Sequence, residues 1–177
     1  MRFNRLALLV PLLAACDGSD SVSVKPFNAS ASDDQIVSAL DSNGRTAFCQ
    51  EVKAYYESEI STAMSKKIGC YSLALAFSGG DASACNQAAQ ACIADESGDV
   101  TTEAGDCDPQ KADGCGATVS ELEACYTAMI ERIKLFGTKI SCSVSASEIP
   151  DFDSPPAACA PVEAKCPGLI DSDTEAE

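Results

Sequence analysis

Eleven cysteines in a chain of 177 residues constrain what this sequence can fold into more than any other feature. In an oxidising compartment such thiols become covalent links between elements. Cys16 stands apart, at the end of an apolar leader. The other ten are Cys49, Cys70, Cys85, Cys92, Cys107, Cys115, Cys125, Cys142, Cys159 and Cys166. An even number is what a framework of intramolecular disulfides requires. Zinc and iron–sulfur sites built from four thiolates normally use closely spaced pairs. Here the tightest spacings, Cys85 to Cys92 and Cys159 to Cys166, leave six residues between the thiols, and no CxxC redox motif occurs. The thiols are therefore read as disulfides, with neither metal nor cofactor expected.

The leader itself has three parts. Arg2 and Arg5 supply positive charge, residues 6–13 form an apolar run, and small residues follow, the layout of a secretory signal peptide. The run falls well short of the roughly 20 apolar residues that a helix needs to cross a bilayer, and Pro11 interrupts it. It closes on Leu13, Ala14, Ala15 and Cys16. This tetrad resembles the lipobox of bacterial lipoproteins. The resemblance implies a diacylglycerol thioether on the Cys16 sulfur, cleavage just before it, and acylation of the new amino terminus. Several acyl chains give durable attachment where one does not. Asp17 resembles the inner-membrane retention signal of enteric bacteria, a rule that is not universal, so the cell membrane and the outer membrane both remain open. The expected location is lipid-anchored, facing the periplasm or the exterior.

Net charge excludes another class of partner. The chain carries −15, and removal of the leader with Arg2 and Arg5 takes the remainder to −17. Nucleic-acid binding needs a basic footprint that such a chain lacks. Adhesion to anionic lipid by charge alone is disfavoured for the same reason. There is no histidine, which removes the Ser–His and Cys–His nucleophile pairs and the commonest general base at neutral pH. Five disulfides at about 2–4 kcal/mol each would compensate for a core with no Trp, four Tyr and six Phe.

The chain divides into a signal peptide (1–15), the lipidated cysteine with a Ser-rich flexible tether (16–32), a disulfide-rich helical domain (33–170) and an acidic tail (171–177). Ser32 and Gln35 have capping-box spacing and open a short helix carrying Ile36, Val37 and Leu40. A longer helix is predicted over 43–65, where Phe48, Val52, Tyr56, Ile60 and Met64 recur every four residues. Another covers 66–77, with Cys70, Leu73, Ala74 and Phe77 sharing a face, and ends at Ser78, Gly79 and Gly80. The Ala-rich stretch 82–94 puts Cys85, Ala88 and Cys92 on one face. Seven helical residues separate Cys85 from Cys92 by about 10.5 Å. A disulfide spans at most about 7 Å, so each must reach a different element.

Residues 95–117 carry seven acidic residues between Asp95 and Asp113 and read as a long loop pinned by Cys107 and Cys115. A Thr118–Glu121 capping box then opens the clearest helix, with Val119, Leu122, Tyr126, Met129, Ile133 and Phe136 on its stripe and Gly137 as its end. Ile140, Cys142 and Val144 alternate with polar residues as in a short extended piece. A last helix starts near Pro161, stapled by Cys159 and Cys166.

The spacing of Cys49, Cys70, Cys85 and Cys92, the stretch TVSELEAC at 118–125, and the closing EAKCPG around Cys166 look like the cysteine-rich lipoproteins of social and predatory Gram-negative bacteria. That resemblance implies architecture and location and carries no activity. The fold expected is mainly α, a small disulfide-stapled helical domain with a long acidic loop. The function expected is that of a non-catalytic binding or structural module of the envelope, with the membrane as partner through its anchor and an envelope protein or glycan as ligand. Two rival readings use carboxylates. In one, the acidic loop 95–117 takes a divalent cation or a glycan. Asp106 and Asp108 begin like a calcium-binding loop, but Lys111 stands where that loop needs glycine. In the other, a carboxylate pair hydrolyses glycosides, though nothing in the sequence selects one pair.

Overall fold

The computed structural model of the chain describes residues 22–95, 109–145, 149, 152, 154–166 and 169. Five α-helices form within them: α1 (Ser42–Glu59), α2 (Thr62–Phe77), α3 (Ala82–Ala94), α4 (Val119–Lys139) and α5 (Ala160–Lys165). Three 3-10 turns, Val37–Ala39, Pro109–Ala112 and Ala157–Cys159, join them. Among the described residues there is no strand, and one isolated antiparallel bridge pairs Ile36 with Thr118. The protein is mainly α and disulfide-stapled, as its cysteines and helical periodicities imply. Most of the expected acidic loop, residues 96–108, lies outside the described residues, as do the expected signal peptide (1–15) and the expected tail 171–177.

The single helix expected over 43–65 is two. Ile60 leaves the helix with φ −106° and ψ 100°, and the Ser61 hydroxyl accepts from the Met64 amide at 3.2 Å to start α2. The four-residue stripe survives the break because Ile60 and Met64 both still reach the core. Near Ser32 the predicted helix is instead a backbone turn, Gln35 N–H to Ser32 C=O at 2.9 Å. The bridge at Ile36 then holds the chain extended before a 3-10 turn buries Val37.

Two inner faces also differ from expectation. In α2, Cys70 and Ala74 are buried, but Leu73 is 48% and Phe77 84% exposed. In α3 the face against α2 is Cys85 and Ala89, with Ala88 turned to solvent. Gly79 and Gly80 make the reversal between these helices with φ of 59° and 89°, which only glycine adopts without strain. Asp81 then caps α3 by accepting from the Ser83 and Ala84 amides.

The capping box of α4 is present in both directions between Thr118 and Glu121. Gly137 does not end the helix, which runs on to Lys139. Ile140 closes it, and Cys142 sits in a turn rather than an extended piece. Pro161 lies in the first turn of α5 as expected.

The largest departure concerns the tether. From Ser23 onward the chain is a strap packed on α1 and α4. The Ser23 carbonyl accepts from Lys134 Nζ at 3.0 Å, and the Lys25 carbonyl from the Tyr55 hydroxyl at 2.8 Å. The Phe27 amide donates to Thr127 Oγ1 at 3.0 Å and the Ser30 amide to Glu51 at 3.0 Å. As the strap advances, its partners fall in number on both helices, so it runs antiparallel to each and the two helices run the same way. Phe27, 6% exposed, fills the groove between them against the rings of Phe48, Tyr55 and Tyr126. Ser content alone predicts flexibility here, but burying one aromatic ring offsets the ordering of several small residues.

Three apolar clusters follow the chain path. The main core joins the strap, α1, α4 and α5 around Phe27, Phe48, Leu122 and Val162. A second cluster, Ile68, Phe136 and Ile140, lies where α2 meets the end of α4. The third, Ala74, Cys85 and Ala89, sits inside the α2–α3 hairpin.

Candidate functional site

The ten cysteines expected to form the scaffold are largely accounted for. Cys115 bonds Cys166 and Cys125 bonds Cys159, each with a Cα–Cα distance of 4.4 Å. The Cys125–Cys159 bond holds the turn before α5 onto α4, and the Cys115–Cys166 bond ties the end of α5 to the chain just ahead of α4. Cys70 bonds Cys92 at 5.6 Å, closing the α2–α3 hairpin, and Cys85 bonds Cys142 at 5.8 Å, tying the hairpin to the chain beyond α4. Cys85 and Cys92 thus reach different elements, as helical geometry demands. Cys49 is also disulfide-bonded, to none of the other described cysteines, since those eight pair among themselves. Cys107 and the lipidation candidate Cys16 lie outside the described residues.

These links give the domain two distinguishable ends. At one end, Arg45 near the start of α1 meets Asp113 at 3.3 Å, so the later end of the acidic segment stands beside the amino-terminal end of α1, while the carbonyl of its first residue, Asp95, accepts from Lys66 Nζ of α2 at 2.5 Å. At the other, Lys134 Nζ bonds both Glu59 at 2.8 Å and the Ser23 carbonyl. Along α1, Arg45 and Glu59 are separated by about 21 Å. The chain leading back to Cys16 therefore leaves from the carboxy-terminal ends of α1 and α4. From this same end α2 departs. Met64 and Ile68 lie over Gly137, Lys67 donates to the Gly137 carbonyl at 2.7 Å, and Cys85, beside Ala74, bonds Cys142 beyond α4. The α2–α3 hairpin thus projects past the end of α4.

Carboxylates available to the hydrolase reading mostly hold the fold together. Asp41 and Asp81 cap α1 and α3. Glu51 and Glu123 accept from strap amides of Ser30 and Ala29, and Glu59 pairs with Lys134. Glu121 binds Lys165 at 2.6 Å while closing the capping box. The Lys165 ammonium, and after it the Thr118 amide, hold the Glu121 carboxyl below the usual carboxylate range. Burial pushes the Tyr126 phenol up, and burial, reinforced by the Glu59 and Glu131 charges, does the same for Tyr55 against the opposing Thr127 contact. Among the described residues no group of three or more Asp, Glu or Cys is arranged to hold a metal ion. Asp106 and Asp108, the start of the calcium-like pattern, lie outside them.

Two features escaped the sequence reading. One is the strap, for which a lone Phe27 in a Ser-rich stretch was the available signal. The other is the exposure of Leu73 and Phe77, foreshadowed by a run from 68 to 94 in which Asp81 is the sole charged residue.

The class defined by this arrangement is a cross-linked helical domain whose amino-terminal segment is built into its core. Comparison of the chain with protein-family models, with curated proteins and with solved structures found no match.

Proposed function

We propose that this protein is a lipid-anchored component of the bacterial cell envelope, facing the periplasm or exterior, and that it serves as a non-catalytic binding or structural module. The observation that carries this reading is the behaviour of the cysteines. Leu13, Ala14, Ala15 and Cys16 close the leader, and the four described disulfides are made without that cysteine. Eight pair among themselves and Cys49 is bonded as well. If Cys16 carries lipid, Cys107 is the thiol left for Cys49. Extensive disulfide formation belongs to an exported protein, and a leader that ends on Leu13, Ala14, Ala15 and Cys16 belongs to an anchored one.

Support for a non-catalytic role comes from chemistry. The chain has no histidine, and the carboxylates described above are engaged in caps, ion pairs and strap contacts. An envelope protein or a glycan is the partner class that suits a strongly acidic, rigidly stapled domain held at a membrane.

The test is the intact mass of the protein extracted from its native membrane, before and after reduction and alkylation. The expected result is acyl mass on a chain beginning at Cys16, with ten cysteines alkylated only after reduction. An unlipidated chain, or thiols that alkylate without reductant, overturns the proposal.

A further inference from the structure

We infer that the α2–α3 hairpin is a membrane-contacting element, with Leu73 and Phe77 seated in the interfacial layer of the bilayer to which the chain is anchored. The inference rests on the lipid-anchor reading above and adds an orientation and a contact surface to it.

Four observations converge on this assignment. Leu73 and Phe77 lie one helical turn apart on the same side of α2 and are 48% and 84% exposed. A solvent-facing phenylalanine of that exposure gains nothing from its position unless another phase covers it. The hairpin is also nearly free of charge. Between residues 68 and 94 only Asp81 is ionisable as an acid or base of the Asp, Glu, Lys and Arg set, and that carboxylate is engaged with the Ser83 and Ala84 amides. In a chain of net charge −15 this is a surface that brings little charge repulsion to an anionic bilayer.

Position supplies the third observation. The hairpin projects from the carboxy-terminal ends of α1 and α4, the end at which the strap begins at Ser23. Asp113, at the later end of the acidic segment, is held at the opposite end by Arg45, and Asp95, at its start, is bonded to Lys66 at the base of the hairpin, away from the tip that carries Phe77. Reach supplies the fourth. Six residues separate Cys16 from Ser23, and at about 3.3–3.6 Å per residue they span at most about 20–25 Å. From Met64, beside Gly137, to Phe77 is about 20 Å along α2. An anchor on Cys16 and the tip of the hairpin therefore reach one plane together.

No described helix is long and apolar enough to cross a membrane, so the contact is a surface one. Aromatic and aliphatic side chains at helix termini settle at the headgroup boundary in this way. The hairpin's two disulfides, Cys70–Cys92 and Cys85–Cys142, hold it rigidly enough to set the orientation of the whole domain.

The absence of Trp from the chain makes the test direct. Phe77→Trp and, as the control at the far end, Asn43→Trp each introduce a single reporter at an exposed helical position. Each full-length precursor is expressed in a lipoprotein-processing bacterium. Its mature form is weighed for acyl mass and reconstituted into phosphatidylcholine vesicles with and without brominated acyl chains. The expected result is a blue-shifted Phe77→Trp emission that brominated lipid largely quenches, beside an unshifted Asn43→Trp emission that it leaves unchanged. Acylated protein in which neither reporter is quenched, or both equally, overturns the hairpin contact while the anchor stands. Protein without acyl mass overturns the anchor, and the contact with it.

Discussion

Gly137 stands where a helix-ending glycine is expected, yet its backbone is helical and it is buried. A Cβ there would lie 3.0 Å from Met64 Cγ and 3.1 Å from Ile68 Cδ1, so what requires glycine is the close approach of α2. Gly137→Val forces two methyl groups into that contact and is expected to lower stability by about 1–3 kcal/mol, read as a fall in the urea midpoint. Thr118 works in the opposite sense, by adding rather than omitting atoms. Its hydroxyl and the Glu121 carboxylate satisfy each other's backbone amides at the start of α4. Thr118→Ala should cost about 1 kcal/mol in the same assay. The Glu121 carboxyl, held low by Lys165 and the Thr118 amide, has a folded pKa below its unfolded one. Its contribution is therefore complete above the unfolded carboxylate pKa and is lost as pH falls through the folded value. Glu121→Gln should be less stable than the parent at neutral pH, with the difference closing in strong acid. A constant difference at both pH values would show that ionisation is not what Glu121 contributes.

Among the elements, the strap is where composition misleads. Residues 22–31 contain no helical or strand periodicity, and Ser content alone reads as linker. The decisive quantity is the groove between α1 and α4, which exists only once those helices lie side by side. Phe27→Ala removes the ring that fills it and should destabilise the domain by about 3–5 kcal/mol. Proteinase K, which has little sequence preference, should then cut within residues 23–31 in the variant well before it does in the parent. The break at Ile60 has a similar origin. The apolar stripe passes through it undisturbed, and the Ser61 cap becomes worthwhile because α2 has Gly137 and Phe136 to pack upon. By contrast, the start of α4 was fully legible, since a capping box and its hydrophobic stripe are both local patterns.

At the scale of the whole molecule, disulfides join what few apolar contacts connect. The hairpin has its own small cluster of Ala74, Cys85 and Ala89 and meets the main body mainly through Ile68, Phe136 and Ile140. Replacing both Cys85 and Cys142 by Ser opens a link of sequence separation 57. Stability should fall by about 4 kcal/mol on the chain-entropy account, while the hairpin itself stays closed by Cys70–Cys92. Peptide mapping of the unreduced protein should recover the four described pairs and, on the proposed anchor, Cys49 joined to Cys107. Local sequence patterns determined the fold class of this protein: helical periods, caps and an abundance of cysteines spaced along them. Geometry internal to one helix even excluded a Cys85–Cys92 bond, because spacing along a helix is known before the helix packs. Tertiary structure alone decided which thiol met which, that Gly137 is a crossing point, that Phe27 is core and that Leu73 and Phe77 are surface. Each of those depends on the approach of elements far apart in the chain, and no local pattern encodes the distance between two helices.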